Sequence, residues 1–184
     1  MTTTRAIPTT FPLRLIGALA LDPPIYEEIE ADTRATGQAM LVVFLSSVSA
    51  GIGAFGWGSG SWRGILFVSA LSLVSWAMWA VLTYVIGTQL LPEGQTRSDV
   101  GQLLRTIGFA AAPGLFRIFG IVPGATLPAF AITAVWMLAA MIVAVRQALD
   151  YTSTMRAVAV CVIGWTLAFG LAAGVQFFFG PTVS

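Results

Sequence analysis

Five predominantly apolar runs, each about the length of a membrane-crossing helix, decide what this chain can become; they start near Ala35, Gly64, Arg97, Thr126 and Ala157. Hydrocarbon offers no water to a free peptide N–H or C=O, so a spanning segment satisfies its backbone internally as a helix. About 20 residues of helix cross the apolar layer. The expected fold class is therefore all-α, a polytopic membrane helical bundle with five transmembrane helices. Only 9% of the 184 residues are charged, against roughly 25% in an ordinary soluble domain, so a core of this kind requires lipid around it.

The third run, Arg97 to Gly124, is the least like a lipid-facing helix. It carries Arg105, Arg117, Pro113, Pro123 and five glycines. A charged side chain near the bilayer centre costs about 2.5–3.5 kcal/mol on insertion scales, so this segment is expected to face protein. Pro113 removes a backbone donor and is expected to kink the third helix. Gly101, Arg105, Gly108 and Ala112 share one of its faces, and Ser98 is a plausible N-cap.

The flanking segments read as follows. Thr10 precedes Phe11–Leu21, with Pro12 in a first helical turn. Arg5, Arg14 and the pattern Ala18-Leu19-Ala20 resemble a signal peptide, but the apolar run from Leu15 is seven residues long and Arg14 abuts it. An N-terminal helix lying in the membrane interface is the better reading. Asp22 to Arg34 then concentrates Asp22, Glu27, Glu28, Glu30 and Asp32, five of the eight acids. This divides the chain into a cytoplasmic N-terminal segment, residues 1–34, and a transmembrane domain, residues 35–184.

Within the first span, Ser46/Ala50, Ser47/Gly51 and Ser49/Gly53 are small residues four apart, the pattern of close helix contact. The link Gly56–Arg63 is glycine-rich, with tryptophans suited to the interface. Along the second span Ser69, Ser72, Trp76, Trp79 and Thr83 form one stripe. Such a stripe either packs against neighbours, its commoner use, or lines a cavity. Gly87–Asp99 is a polar loop. The fourth span opens at Thr126 with Pro128 in its first turn and closes on Arg146, Gln147 and Asp150. A short loop, Asp150–Arg156, makes the fourth and fifth spans a hairpin; the fifth carries Gly164, Gly170 and Gly174 and ends in Phe177–Phe179.

All nine basic residues are arginine, a usage that fits a GC-rich bacterial genome. Five spans place Arg5, Arg14, Arg34, Arg97, Arg146 and Arg156 on one side and Arg63 and Arg117 on the other. The excess marks the cytoplasmic side, so the N-terminus is expected inside and the C-terminus outside. The acidic cluster then shares a face with Arg105 and Arg146, and pairing of Glu30 or Asp32 with Arg105 or Arg146 is the expected contact.

Three separated blocks carry a likeness: Tyr26–Ala39, Leu103–Gly124 and Val135–Trp165. In this order they resemble bacterial members of the Ypt-interacting-protein (YIP) family, over about Asp22 to Trp165. The resemblance implies five transmembrane helices, a cytoplasmic N-terminus and, for a bacterial chain, the inner membrane. Eukaryotic members act in membrane traffic with Rab-type small GTPases through an acidic-aromatic motif, which maps here onto Asp22, Tyr26, Glu27 and Glu28. This chain lacks the eukaryotic form of that motif, and a Rab-type partner is not carried over. For bacterial members the resemblance implies a fold and a location but no established activity.

The absence of His removes the usual proton shuttle and the commonest metal ligand. The single Cys161 permits no intrachain disulfide and no CxxC site. Acyl-transfer and zinc constellations cannot be assembled, so no enzyme activity, cofactor or metal is expected. A net charge of +1 gives nucleic acid no electrostatic support. The first reading is a non-enzymatic scaffold or adaptor, with membrane lipid around it, a protein partner at the cytoplasmic acidic segment, and homo-oligomer contacts through small-residue faces. The alternative is a small-solute or ion transporter or channel built on the kinked third helix and its arginines. The candidate cluster for either is Tyr26, Glu27, Glu28, Glu30, Asp32, Arg105, Pro113, Arg146 and Asp150.

Overall fold

A computed structural model describes residues 10–57, 61–91 and 99–179, with side chains described as far as Leu167. Arg5, Arg97, Ser98 and the side chains of Gly170, Gly174 and Phe177–Phe179 lie outside the described residues, as do parts of the Gly56–Arg63 and Gly87–Asp99 links. Every regular element among the described residues is helical.

Helices α1 (Phe11–Leu19) and α2 (Pro23–Ala31) form a hairpin, followed by α3 (Ala35–Ala54), α4 (Trp62–Val85) and α5 (Val100–Ala110). A 3-10 helix, Ala112–Ile121, continues from α5; α6 (Thr126–Ala148) and α7 (Thr154–Phe179) complete the chain. Four stretches are long and apolar enough to cross a membrane: Ala35–Ala54, Trp62–Leu90, Val100–Ile121 and Thr126–Ala148. The second includes a π-helical turn, Ile86–Leu90, at the end of α4.

At Pro113 the observed change is one of helix type. Proline brings no N–H to donate back to a carbonyl, and the α-helical ladder stops at Ala110. The tighter turns take over, with Ala111 N–H donating to Gly108 and Gly114 N–H to Ala111. A 3-10 helix rises about 2 Å per residue against 1.5 Å in an α-helix, so the second half of this segment reaches further for its length. α5 begins at Val100, and the backbone N–H of Asp99 donates to Gln102 Oε1 at 2.8 Å. The helix start thus falls one residue later than the Ser98 cap implies.

α3 is the central helix. It packs most extensively on the 3-10 helix and α4, then on α5. Its small residues Ser46, Ser47, Ser49, Ala50, Gly51 and Gly53 are all buried, which lets neighbouring backbones come close in the manner of small-residue interfaces in lipid. At Gly53 an added Cβ would run into the Arg117 carbonyl oxygen, and at Gly108 it would meet the Ala39 side chain at 2.8 Å. A side chain at Gly53 would force α3 away from the 3-10 helix, and one at Gly108 would force it away from α5. α4 is peripheral: Leu66, Phe67, Leu71, Val74 and Val81 are exposed along it. Thr126, the first residue of α6, donates its hydroxyl to the Gly120 carbonyl at 2.6 Å and ties the 3-10 helix to the span that follows.

The α1–α2 hairpin is packed against the bundle. α2 lies on α5 and α6, and α1 on α2 and α5. Its turn places Leu21 at φ 61°, a conformation that costs a branched or bulky residue energy and persists only where packing imposes it. The Leu19 carbonyl accepts a 2.9 Å hydrogen bond from the indole of Trp136, near the middle of α6. The expected interfacial helix is therefore one arm of a wedge whose tip is level with mid-α6. Leu13 and Ile16 remain exposed on its outer side, an apolar face suited to lipid.

Candidate functional site

Two polar constellations sit at the end of the bundle that holds the α2 C-terminus and the α6–α7 loop. The first is centred on Arg14, which is 2% exposed. Its guanidinium forms a fork on Glu28, 3.2 Å from Nε to Oε2 and 2.6 Å from Nη2 to Oε1. The same Nη2 also reaches Asp32, and Nη1 donates to Gln38 Oε1 at 2.9 Å. A planar guanidinium matches a carboxylate in this two-point manner better than any other cation. Arg14 is held above its ordinary range, chiefly by the bond to Glu28. Asp32 is held below its ordinary range by Arg14 and by the backbone N–H of Arg34. Arg14 thus ties α1, α2 and the start of α3 together. Sequence reasoning missed this because a lone arginine in a short apolar run looks like an interface anchor.

The expected pairing of Glu30 or Asp32 with Arg105 or Arg146 is corrected on three counts. Asp32 belongs to Arg14. Arg105, 5% exposed, donates Nη2 and Nε to the Glu30 main-chain carbonyl, at 2.6 and 3.2 Å. Arg146 donates weakly, at 3.4 Å, to the Tyr151 carbonyl. The physical reason is local. The last carbonyls of a helix have no partner within it, and the C-terminal turn of α2 points such an acceptor at Arg105 while the carboxylate turns elsewhere. Tyr26, expected in a partner-facing motif, is fully buried, and its hydroxyl donates to the Ala18 carbonyl at 3.3 Å. It pins the hairpin instead, and burial pushes its phenol well above the ordinary range.

The second constellation is an open cleft of about 530 Å³ lined by Glu27, Glu30, Arg146, Gln147, Asp150 and Tyr151. The sequence-predicted residues Glu27, Glu30, Arg146 and Asp150 therefore meet, although they come from opposite ends of the chain. Glu28 and Asp32 belong to the Arg14 constellation instead, Arg105 holds the Glu30 main chain, and Pro113 lies elsewhere, buried in the 3-10 helix. Gln147 donates to Glu27 Oε1 at 2.8 Å across the mouth. Asp150 adopts φ 51° at the end of α6, which turns the chain sharply into the short loop. Tyr151, unforeseen from sequence, places its hydroxyl 2.9 and 2.8 Å from the Gly87 and Leu91 carbonyls and shares one proton between them. The cleft wall is thereby fastened to the end of α4.

Glu30 is pushed up to about 7 by burial first, then by Asp150 and Glu27, with Arg105 opposing. A carboxyl that holds its proton more tightly folded than unfolded favours folding while protonated. Its contribution is full below about pH 4.5 and fades as the pH rises through about 7. Thermal unfolding in detergent between pH 5 and pH 8 should show this loss, and Glu30→Gln should flatten it. An unchanged slope in the variant would assign the pH dependence to another group.

Glu27, Glu30, Arg146 and Asp150 thus bring three carboxyl groups and one guanidinium to the same cleft, with Arg105 acting on Glu30 from beside it. No group of three or more Asp, Glu, His or Cys arranged to hold a metal occurs among the described residues. No family model, no curated protein and no solved structure matches the chain.

Proposed function

We propose that this is a five-span, inner-membrane adaptor of the YIP type, non-enzymatic, with its N-terminus in the cytoplasm and its C-terminus outside. In this reading α7 is the fifth span, and the acidic cleft is a cytoplasmic dock for a basic segment of a partner protein. The observation that carries the reading is the convergence of Glu27, Glu30, Arg146 and Asp150 in one open cleft. The arginine imbalance between the two sides supports the orientation, and the three blocks resembling YIP proteins support the span count.

A lysine- and arginine-rich fluorescent peptide titrated onto the detergent-solubilised protein tests the dock. Binding should weaken with salt, as exposed charge pairs do, and the triple variant Glu27→Gln, Glu30→Gln, Asp150→Asn should lose at least tenfold in affinity. An acidic peptide that binds equally well, or a triple variant that binds like the wild type, would overturn the dock.

The alternative, a small-solute transporter or channel, draws on one observation, the guanidinium of Arg117 beside a cavity within the bundle. Solute flux into proteoliposomes that disappears in Arg117→Ala would replace the adaptor reading.

A further inference from the structure

α4 and α6 hardly touch, and the gap between them is a cavity of about 430 Å³. That volume lies in the range of small-molecule sites. Ser72, Trp76 and Trp79 of the α4 stripe line one wall, Met137 and Met141 of α6 the other, and Arg117 enters from the 3-10 helix. Trp165 of α7 meets Trp79 edge-on, ring centroids 6.4 Å apart, and closes one end. Exposed Leu71 and Ser75 stand at the mouth. Ser72, Trp76 and Trp79 of the stripe thus line a cavity, while Ser69 packs against Gly51 of α3 and Thr83 is fully buried, so the stripe serves both of its uses.

Three donors at this cavity lack an acceptor that matches them. The guanidinium of Arg117 makes no ion pair with any acid among the described residues. Its Nε lies a long 3.4 Å from Thr133 Oγ1, and its Cζ 5.4 Å over the Phe130 ring. The indole nitrogens of Trp76 and Trp79 are buried with no hydrogen-bond partner. Trp79 is 8% exposed, so more than nine-tenths of it is out of contact with the surroundings. A buried donor without an acceptor is unfavourable, and a cation without a counter-charge more so. A dry packing defect would be walled by hydrocarbon alone. The group that completes this cavity carries negative charge and accepts several hydrogen bonds. Apart from Ser72 and Ser75 the remaining walls are apolar, and they call for a hydrocarbon chain behind that charge.

We propose that this cavity binds an anionic amphiphile. The carboxylate or phosphate of a membrane lipid sits against Arg117 and the two indole N–H groups, and its acyl chain leaves between α4 and α6. Arg117 supplies the charge, the tryptophans supply direction, and the exposed apolar flank of α4 continues the path of the chain into the bilayer.

The test uses the full chain in a neutral detergent, with phosphatidylglycerol bearing brominated acyl chains as the probe. Bromine quenches nearby tryptophan, so saturable quenching is expected, together with a lipid adduct in native mass spectrometry. Arg117→Ala should weaken binding at least tenfold and Arg117→Lys less. The Trp76→Phe, Trp79→Phe double variant should lose most of the quenching. Brominated phosphatidylcholine that quenches and adheres equally well would overturn the requirement for negative charge. Displacement of the lipid by inorganic phosphate at equal concentration would identify a free-anion site and overturn the amphiphile. If Arg117→Ala does not yield folded protein, Arg117→Lys and Trp79→Phe carry the test, and wild-type affinity in both overturns the proposal.

Discussion

Arg14→Ala is expected to lower the unfolding free energy by about 3 kcal/mol, the range found when one partner of a buried ion pair is removed and the other is stranded. Arg14 is almost wholly enclosed, while Glu28 and Asp32 are 23% and 27% exposed. The stranded carboxylates can therefore recover some hydration, which keeps the figure from the top of that range. The loss should appear first as release of the hairpin, because two of its four hydrogen bonds join α1 to Glu28 of α2, a third reaches Asp32 just past α2, and the fourth reaches Gln38 of α3. Denaturant unfolding in mixed micelles gives the magnitude, and a cysteine introduced at Ala18, now fully buried, reports the release by its labelling rate. A double-mutant cycle with Glu28→Ala should return a coupling above about 1 kcal/mol. Strict additivity of the two substitutions would show that the fork contributes nothing. Asp32 adds a pH dependence of the usual carboxylate sign. Its folded value is depressed, so its contribution is present above the ordinary carboxylate range and disappears as the pH falls through the folded value.

Arg105→Ala should cost about 2–3 kcal/mol, the scale of hydrogen bonds from a charged donor together with the stranding of a buried acceptor. The informative comparison is Glu30→Gln. Arg105 binds the carbonyl of residue 30, not its carboxylate, so the amide variant keeps both bonds. At pH 8 Glu30→Gln should match or exceed wild-type stability, since it removes a carboxylate that burial disfavours. Equal losses in Arg105→Ala and Glu30→Gln would restore the side-chain ion pair expected from sequence.

Much of the architecture was legible because length alone marks a spanning run. The four long stretches begin and end within a few residues of where apolar composition changes. The packing side of α3 was legible for a related reason: in lipid, only small residues let two backbones meet, and Ser46, Ser47, Gly51 and Gly53 announce that face. The arginine contacts were not legible. Arg14 and its acids are brought together by a turn at Leu21 that no glycine or asparagine signals. Arg105 binds a main-chain oxygen, and such an acceptor has no letter in the sequence. The use of the α4 stripe depends on how near α6 comes, which is settled by the bundle as a whole. The gathering of Glu27, Glu30, Arg146 and Asp150 was foreseen as a shared face, but the cleft they form owes its rigid wall to Tyr151, whose two carbonyl acceptors lie about 60 residues back in the chain.

The hairpin's position in the chain bears on how the protein is made. Arg14, Glu28, Asp32 and Gln38 all lie within the opening 38 residues, so this charged knot can close as soon as they leave the ribosome. Its seat comes later, since Arg105, Trp136 and Gln147 belong to the second half of the chain. Synthesis proceeds from the N-terminus at about 5–20 residues per second, so the wedge waits several seconds for the helices that receive it. A guanidinium already paired with two carboxylates tolerates that wait at a lipid surface better than a bare one would. The hairpin can therefore take its seat only once α5 and α6 have been made.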